Sequence, residues 1–297
     1  MIPVCRDEPG SLQNWAMNTT VGEAVERYVG TRRWSRGTVK HSTYTLSGFA
    51  EIVGAHRSMS SVDHDDCARW WATRQHLAAS SARSRRSTVA NFLRWCRHVG
   101  LLDGDPLAGI PVPREPRRMP ATLSDEDVAA LLHVLPDYRA EAIVELMLRL
   151  GLRCVDVSQL QVADVDVRGM SITVTGKGGH VDLLPLPKSC AVAATKYLAR
   201  CPAPAGPLFR TYTSPTRPMS AQCVSEMVGA WLRDAGLKRD RYDGIGAHAL
   251  RRTCATELLQ RGNIRQVQAV LRHASLTSTE RYLRRSEAEE LRQLVDP

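Results

Sequence analysis

The sequence predicts a mainly α-helical protein with one small antiparallel β-sheet, divided into an N-terminal helical bundle and a second domain of mixed α+β type. Three observations lead there. Apolar residues recur at helical spacing through residues 18 to 110. A segment rich in proline and arginine, P-V-P-R-E-P-R-R-M-P at 111 to 120, then interrupts that periodicity. Beyond it the period changes once from helical to alternating, and back again. A chain of 297 residues is long enough for two such domains, each with its own core.

In chain order, residues 1 to 17 read as a tail. Thr20 can cap a helix through V-G-E-A-V-E-R-Y-V, and the stretch from Ser35 to Thr38 opens a second, with Tyr44, Leu46, Phe49 and Ile52 as its apolar positions. Ser61 precedes a third helix containing Trp70 and Trp71, and a fourth runs from about Ser87 through Phe92, Leu93 and Trp95 to Gly100. Arg32, Arg33, Arg36 and Lys40 gather around the start of the second helix, and Arg83, Arg85 and Arg86 near the start of the fourth. Such clusters are either phosphate-facing or ordinary solvated faces. The segment 111 to 120 is a semi-rigid connector made basic by Arg114, Arg117 and Arg118, lying against a polyanion or simply solvated.

From residue 121 onward, Ser124 caps L-S-D-E-D-V-A-A-L-L, whose first-turn acids complement the helix dipole. A second helix, Glu141 to Leu150, ends at Gly151. D-V-D-V-R-G, M-S-I-T-V-T and H-V-D-L-L-P-L then alternate as strands, with G-K-G-G as the second hairpin turn, and helices follow to the end.

Composition narrows the function. A net charge of +9, with arginine far outnumbering lysine, suits a polyanionic partner better than a neutral metabolite. The eight cysteines are scattered without a C-x-x-C pair or a secretory signal ahead of them, so they read as reduced thiols of a cytoplasmic protein. No apolar run approaches the roughly twenty residues that span a bilayer.

Near the C-terminus a helical segment carries His248 and Arg251 in H-A-L-R, then L-R-H-A-S with His273 and T-S-T-E-R-Y-L with Tyr282. Arginines, histidines and one tyrosine, without a carboxylate pair or metal-ligand cluster beside them, point to phosphoryl transfer onto a protein hydroxyl. A phosphodiester attacked in line spreads negative charge over its equatorial oxygens, and fixed guanidinium and imidazole donors stabilise that charge. Tyr282 is then the nucleophile, with no metal or other cofactor. His248 and Arg251 share a helix face, although surface helices also carry H-x-x-R by chance. Arg153, in L-G-L-R-C-V-D, lies among apolar residues and needs a counter-charge; Asp156 is the natural partner, and a plain salt bridge is the alternative to a site. Lys177 stands at the hairpin tip, where glycines permit a tight turn, or is an idle solvated lysine.

In order, R…K…H-x-x-R…H…Y resembles the tyrosine recombinase, or phage integrase, family in its two-domain type without an arm-binding domain. The segments that carry the likeness are L-G-L-R-C-V-D-V-S-Q-L, T-G-K-G-G-H-V-D-L-L-P-L, A-H-A-L-R-R-T-C-A-T-E-L-L-Q-R-G and V-L-R-H-A-S-L-T-S-T-E-R-Y. Ahead of the connector it rests on helix pattern and on D-P-L-A-G-I at Asp105 to Ile110. The resemblance implies a SAM-like core-DNA-binding bundle over 18 to 110 and a catalytic domain over 121 to 297, closing as a clamp on duplex DNA. It implies that Tyr282 attacks a scissile phosphate to give a 3′-phosphotyrosyl link and a free 5′-hydroxyl. Arg153 and Arg251 clamp the non-bridging oxygens, His273 donates a further hydrogen bond, Lys177 protonates the departing 5′ oxygen, and His248 assists proton transfer at the phenol. Lys40, Arg83, Arg85, Arg86, Arg117, Arg118 and Arg252 are candidate DNA contacts.

Several positions depart from the family pattern. Arg272 stands where glycine is usual, so it either adds a phosphate contact or points to solvent; Asp156 replaces the commoner glutamate, and Asp182 and Arg252 stand where arginine and histidine are frequent. The implied partners are recombination sites in duplex DNA, three further copies of the chain in a tetramer, and an optional accessory DNA-bending or directionality protein. The tail S-E-A-E-E-L-R-Q-L-V, amphipathic through Leu291 and Leu294, suits docking on a neighbouring subunit or on its own domain. Two other functions stay open: a topoisomerase IB-like nicking and resealing enzyme, and a catalytically silent DNA-binding architectural protein.

Overall fold

The computed structural model describes residues 18–112, 121–176, 179–203, 205–211, 213–214, 216–240 and 244–272. The chain divides into two compact units, Met1–Arg117 and Arg118–Pro297.

The first unit is a helical bundle. Helix α1 (Val21–Gly30) opens with a reciprocal capping box: the Thr20 hydroxyl accepts the Glu23 N–H, and the Glu23 carboxylate accepts the Thr20 N–H at 2.8 Å. Helix α2 (Arg36–Val53) is capped by Ser35. Helix α3 (His64–Ala72) starts at Asp63, not at Ser61, because D-H-D-D supplies a stronger capping box through Asp63 and Asp66 while Ser61 closes a short 3₁₀ turn, Met59–Ser61. Helix α4 (Ala79–His98) begins two turns ahead of the Ser87 expected from sequence. The core centres on Phe49, Trp70 and Phe92, whose rings meet edge to face with centroids 5.7 Å and 6.2 Å apart. Leu46 and Phe49 are buried as expected, but Tyr44 is 67% exposed. The inward stripe of α2 runs through Ser42, Thr45, Leu46, Phe49, Ala50 and Val53, which turns Tyr44 outward.

The second unit holds α5 (Asp125–His133), α6 (Tyr138–Arg149), the short α7 (Cys154–Gln159), strands β1 (Val165–Asp166), β2 (Ser171–Thr175) and β3 (Val181–Pro185), then α8 (Lys188–Arg200), α9 (Ala221–Asp234), α10 (Ala247–Arg261) and α11 (Ile264–Leu271). The sheet is antiparallel in the order β1-β2-β3, with Thr173 opposite Leu183 and Thr175 opposite Val181. Period-two alternation puts Ile172, Val174 and Leu184 into the core. Helix α6 is buried on nearly every side, its charged Arg139 and Glu145 included, and is wrapped by α8 and α10. Its buried Glu145 is not left bare: the Ser189 hydroxyl donates to it at 2.6 Å and Arg149 lies 3.4 Å away. The Leu123 N–H donates to the Thr253 hydroxyl at 2.9 Å, pinning the start of the unit to α10. Among the described residues, no helix is long and apolar enough to cross a membrane.

Candidate active site

Helix α6 is followed, after its C-cap Leu150, by Gly151, whose φ of +59° is open to glycine at little cost. Space demands glycine too. A β-carbon there would lie 2.4 Å from Leu271 Cδ2, 3.4 Å from Cys254 Sγ and 3.5 Å from Arg251 Cγ. The turn therefore brings three segments together: the loop leading to Arg153, the middle of α10, and the end of α11.

Arg251 joins them. It is 5% exposed, and its guanidinium donates one hydrogen bond to the Gly151 carbonyl and another to the Leu271 carbonyl. Those acceptors stand two residues before Arg153 and two before His273. Arg153 itself occupies the N-cap of α7 in extended conformation, and its N–H donates to Asp156 Oδ2 at 2.8 Å. Its side chain stays about a third exposed, with Nη1 3.9 Å from Asp156.

His248, one turn ahead of Arg251 on α10, lies on the open side of the helix. Desolvation by its surroundings and then the positive charges of Arg252, Arg251 and Arg153 hold its imidazole below the ordinary histidine range. That ring is neutral near pH 7 and available as a proton acceptor. Arg252 donates to the His248 carbonyl at 3.2 Å and to the Gly244 carbonyl at 2.9 Å, so it braces the start of α10. Burial pushes the thiols of Cys190 and Cys254 up to about 12, which makes them poor nucleophiles despite Cys254 packing against Gly151. Among the described residues, no three His, Cys, Asp or Glu side chains cluster as metal ligands.

Asp156 does not serve Arg153 alone. Its Oδ2 also accepts from Arg272 Nη2 at 2.5 Å, with both side chains almost fully buried. The sequence left Arg272 between a phosphate contact and solvent; it faces inward instead. No local pattern could reveal this, because the partners are 116 residues apart. Gly151 was legible only as a helix terminus, and its crowding comes from residues far along the chain. Lys177, His273 and Tyr282 lie outside the described residues.

The Phage integrase family matches residues 121–289, more than half of the chain. The chain belongs to that family, the tyrosine recombinases. It is 29% identical over 272 residues to tyrosine recombinase XerC of Shewanella amazonensis, covering 88% of this chain and 89% of that protein. It is 31% identical over 217 residues to the XerC of Yersinia pestis, covering 70% of each. Among solved structures, a lambda integrase dimer bound to a COC′ core site matches with a TM-score of 0.73 at 18% identity, over 94% of this chain and 81% of that one. The Tn1549 transposon integrase with transposon right end DNA matches at 0.74 and 17%, over 92% and 99%. These likenesses give the recombinase the predicted mainly helical fold with its small sheet.

In the first unit, Lys40 and Arg83 are exposed, and the Arg85 guanidinium lies 5.3 Å over the Tyr44 ring. Arg86 instead donates to the Ile110 carbonyl at 2.8 Å and to that of Leu107 at 3.4 Å, holding the segment after α4. Arg117 and Arg118 are outside the described residues.

Proposed function

We infer that this tyrosine recombinase is a site-specific DNA integrase, which cuts and rejoins duplex DNA through a 3′-phosphotyrosyl intermediate without metal or ATP. The observation that carries this reading is the Arg251 cross-link, which draws the Arg153 loop, α10 and the end of α11, two residues before His273, to one place. Those are the segments in which the family motif was found by sequence alone.

In this mechanism the Tyr282 oxygen attacks the scissile phosphorus as the bond to the 5′ oxygen breaks. The phenol proton passes toward the neutral His248, and Lys177 protonates the leaving 5′ oxygen. Arg153, Arg251 and His273 stabilise the charge on the non-bridging oxygens. Resealing is the reverse, and the retained phosphoester explains why no nucleotide cofactor enters. Guanidiniums take the charge-stabilising part that a metal would play elsewhere.

The duplex is bound by basic faces of both units. Helix α4 carries Arg83, Arg85, Arg94 and Arg97 at its surface and no acid, a one-sign charge that suits a phosphate backbone. The partner is recombination-site DNA, engaged by a tetramer in which the tail around Leu291 and Leu294 docks between subunits. The domain bounds stay as the sequence sets them, 18–110 and 121–297 around the connector 111–120.

The test is covalent capture on a nicked duplex library with a randomised core. The wild-type chain is expected to form an adduct stable to denaturation, at an equal rate with or without chelator, and Tyr282→Phe to form none while binding duplex as before. An adduct in Tyr282→Phe, or chelator sensitivity reversed by magnesium, contradicts the mechanism.

A further inference from the structure

Asp156 has two claimants, and their geometry differs. Arg272 Nη2 reaches Oδ2 at 2.5 Å with its side chain 6% exposed, whereas Arg153 Nη1 stands at 3.9 Å with its side chain 36% exposed. Arg272 Nε and Nη1 are buried and bonded to nothing among the described residues, so Asp156 is what compensates this guanidinium. Its backbone is also unusual. Arg272 sits at φ 52° and ψ 50°, a left-handed conformation that a side-chain-bearing residue holds only when its surroundings impose it. Here α11 imposes it on one side, through the Arg272 N–H donating to the Ala269 carbonyl at 3.1 Å, and the Asp156 ion pair on the other.

We propose that Arg272 is a positioning residue that keeps the Arg153 guanidinium available to its ligand, by taking up the Asp156 carboxylate and by locking the end of α11 onto the start of α7. This rests on the strand-transfer reading of the same site. Without Arg272, the buried carboxylate would draw the Arg153 guanidinium the short distance that now separates them, and an oxyanion would meet an arginine already paired with a carboxylate. With it, Asp156 keeps its second task, accepting the Arg153 N–H at the N-cap of α7, at no cost to the charge of the site. Arg272 immediately precedes His273 in the chain, so the same ion pair fixes the point from which that histidine departs.

The test uses the full chain and two independent readouts, calorimetric titration with orthovanadate and adduct formation on the nicked library. Arg272→Met is expected to weaken orthovanadate binding by roughly tenfold or more and to slow adduct formation by a similar factor, with duplex affinity nearly unchanged. Arg272→Lys should restore most of both. The double variant Asp156→Asn with Arg272→Met should recover much of the loss, since the orphaned carboxylate is gone while asparagine can still accept at the N-cap. Wild-type orthovanadate affinity in Arg272→Met overturns the proposal, as does a wild-type chain that binds no orthovanadate. A double variant as weak as Arg272→Met also overturns it, because the defect is then one of folding. A wild-type chain whose orthovanadate response follows this pattern but which forms no adduct leaves the proposal standing and removes the strand-transfer reading.

Discussion

Replacing Gly151 with alanine loads the junction of the three site segments at its most crowded point. Two costs add. A non-glycine residue at a φ of +59° costs about 1–2 kcal/mol. The new methyl group would begin 2.4 Å from Leu271 Cδ2, far inside the roughly 3.5–4.0 Å of an ordinary carbon contact. Leu271 is wholly buried, so its side chain must repack among its neighbours to make room, and this overpacking adds about 1–3 kcal/mol. The total is roughly 2–5 kcal/mol, which for a unit of this size lowers the melting temperature by roughly 5–15 °C. Gly236→Ala is the matched control: its φ is +71° with nothing within 4 Å of the added carbon, so it carries only the backbone cost. Scanning calorimetry of both variants reads the difference. Since Leu271 also presents the carbonyl bonded by Arg251, Gly151→Ala should lose adduct formation that Gly236→Ala keeps. Equal melting temperatures for the two variants would refute the claim that α11 packs onto the Gly151 turn.

Two other perturbations report on separate parts of the chain. Arg85→Ala, which uncovers Tyr44, is expected to reduce the slope of log affinity for duplex against log salt by about 0.9 if Arg85 meets one phosphate; an unchanged slope removes Arg85 from the DNA face. The depressed pKa of His248 places the acid limb of adduct formation below the usual histidine value, so activity is full above it and falls only as pH drops through the lowered pKa. Arg252→Ala, by removing one of the charges that lower it, should move that limb upward, and a static limb would mean that His248 does not carry the proton. The same shift makes folding stability fall as pH drops from the unfolded histidine value toward the folded one, because the unfolded chain then binds the extra proton.

Much of the fold was legible because its signals are local. Thr20 and Ser124 cap the helices that the sequence assigned to them, and Ser35 caps the one expected to open between Ser35 and Thr38, each through a side-chain oxygen accepting an N–H three residues on. The switch to alternation at Ser171–Thr175 marked the sheet for the same reason. Helix α4 was read two turns short because A-S-S-A-R-S-R-R offers only Ala82 as a buried residue before Val89, leaving no apolar period to see. Tyr44 was misread as a core position because an aromatic at near-helical spacing looks apolar until its partner Arg85 is known. The site divides the same way. Arg153, His248 and Arg251 stood out through motif order, whereas the Asp156–Arg272 pair and the crowding at Gly151 arise from tertiary contacts between distant segments, which no window of sequence contains.

The central claim is that Arg153 and Arg251 hold one phosphate of DNA while a C-terminal phenol attacks it. Mass spectrometry of the protease-digested covalent adduct tests it most directly. The account requires a nucleotide joined through its 3′-phosphate to the peptide containing Tyr282, with no adduct from Arg153→Ala or Arg251→Ala. A 5′-phosphate linkage, attachment to any other residue, or undiminished adduct from either arginine variant would contradict it.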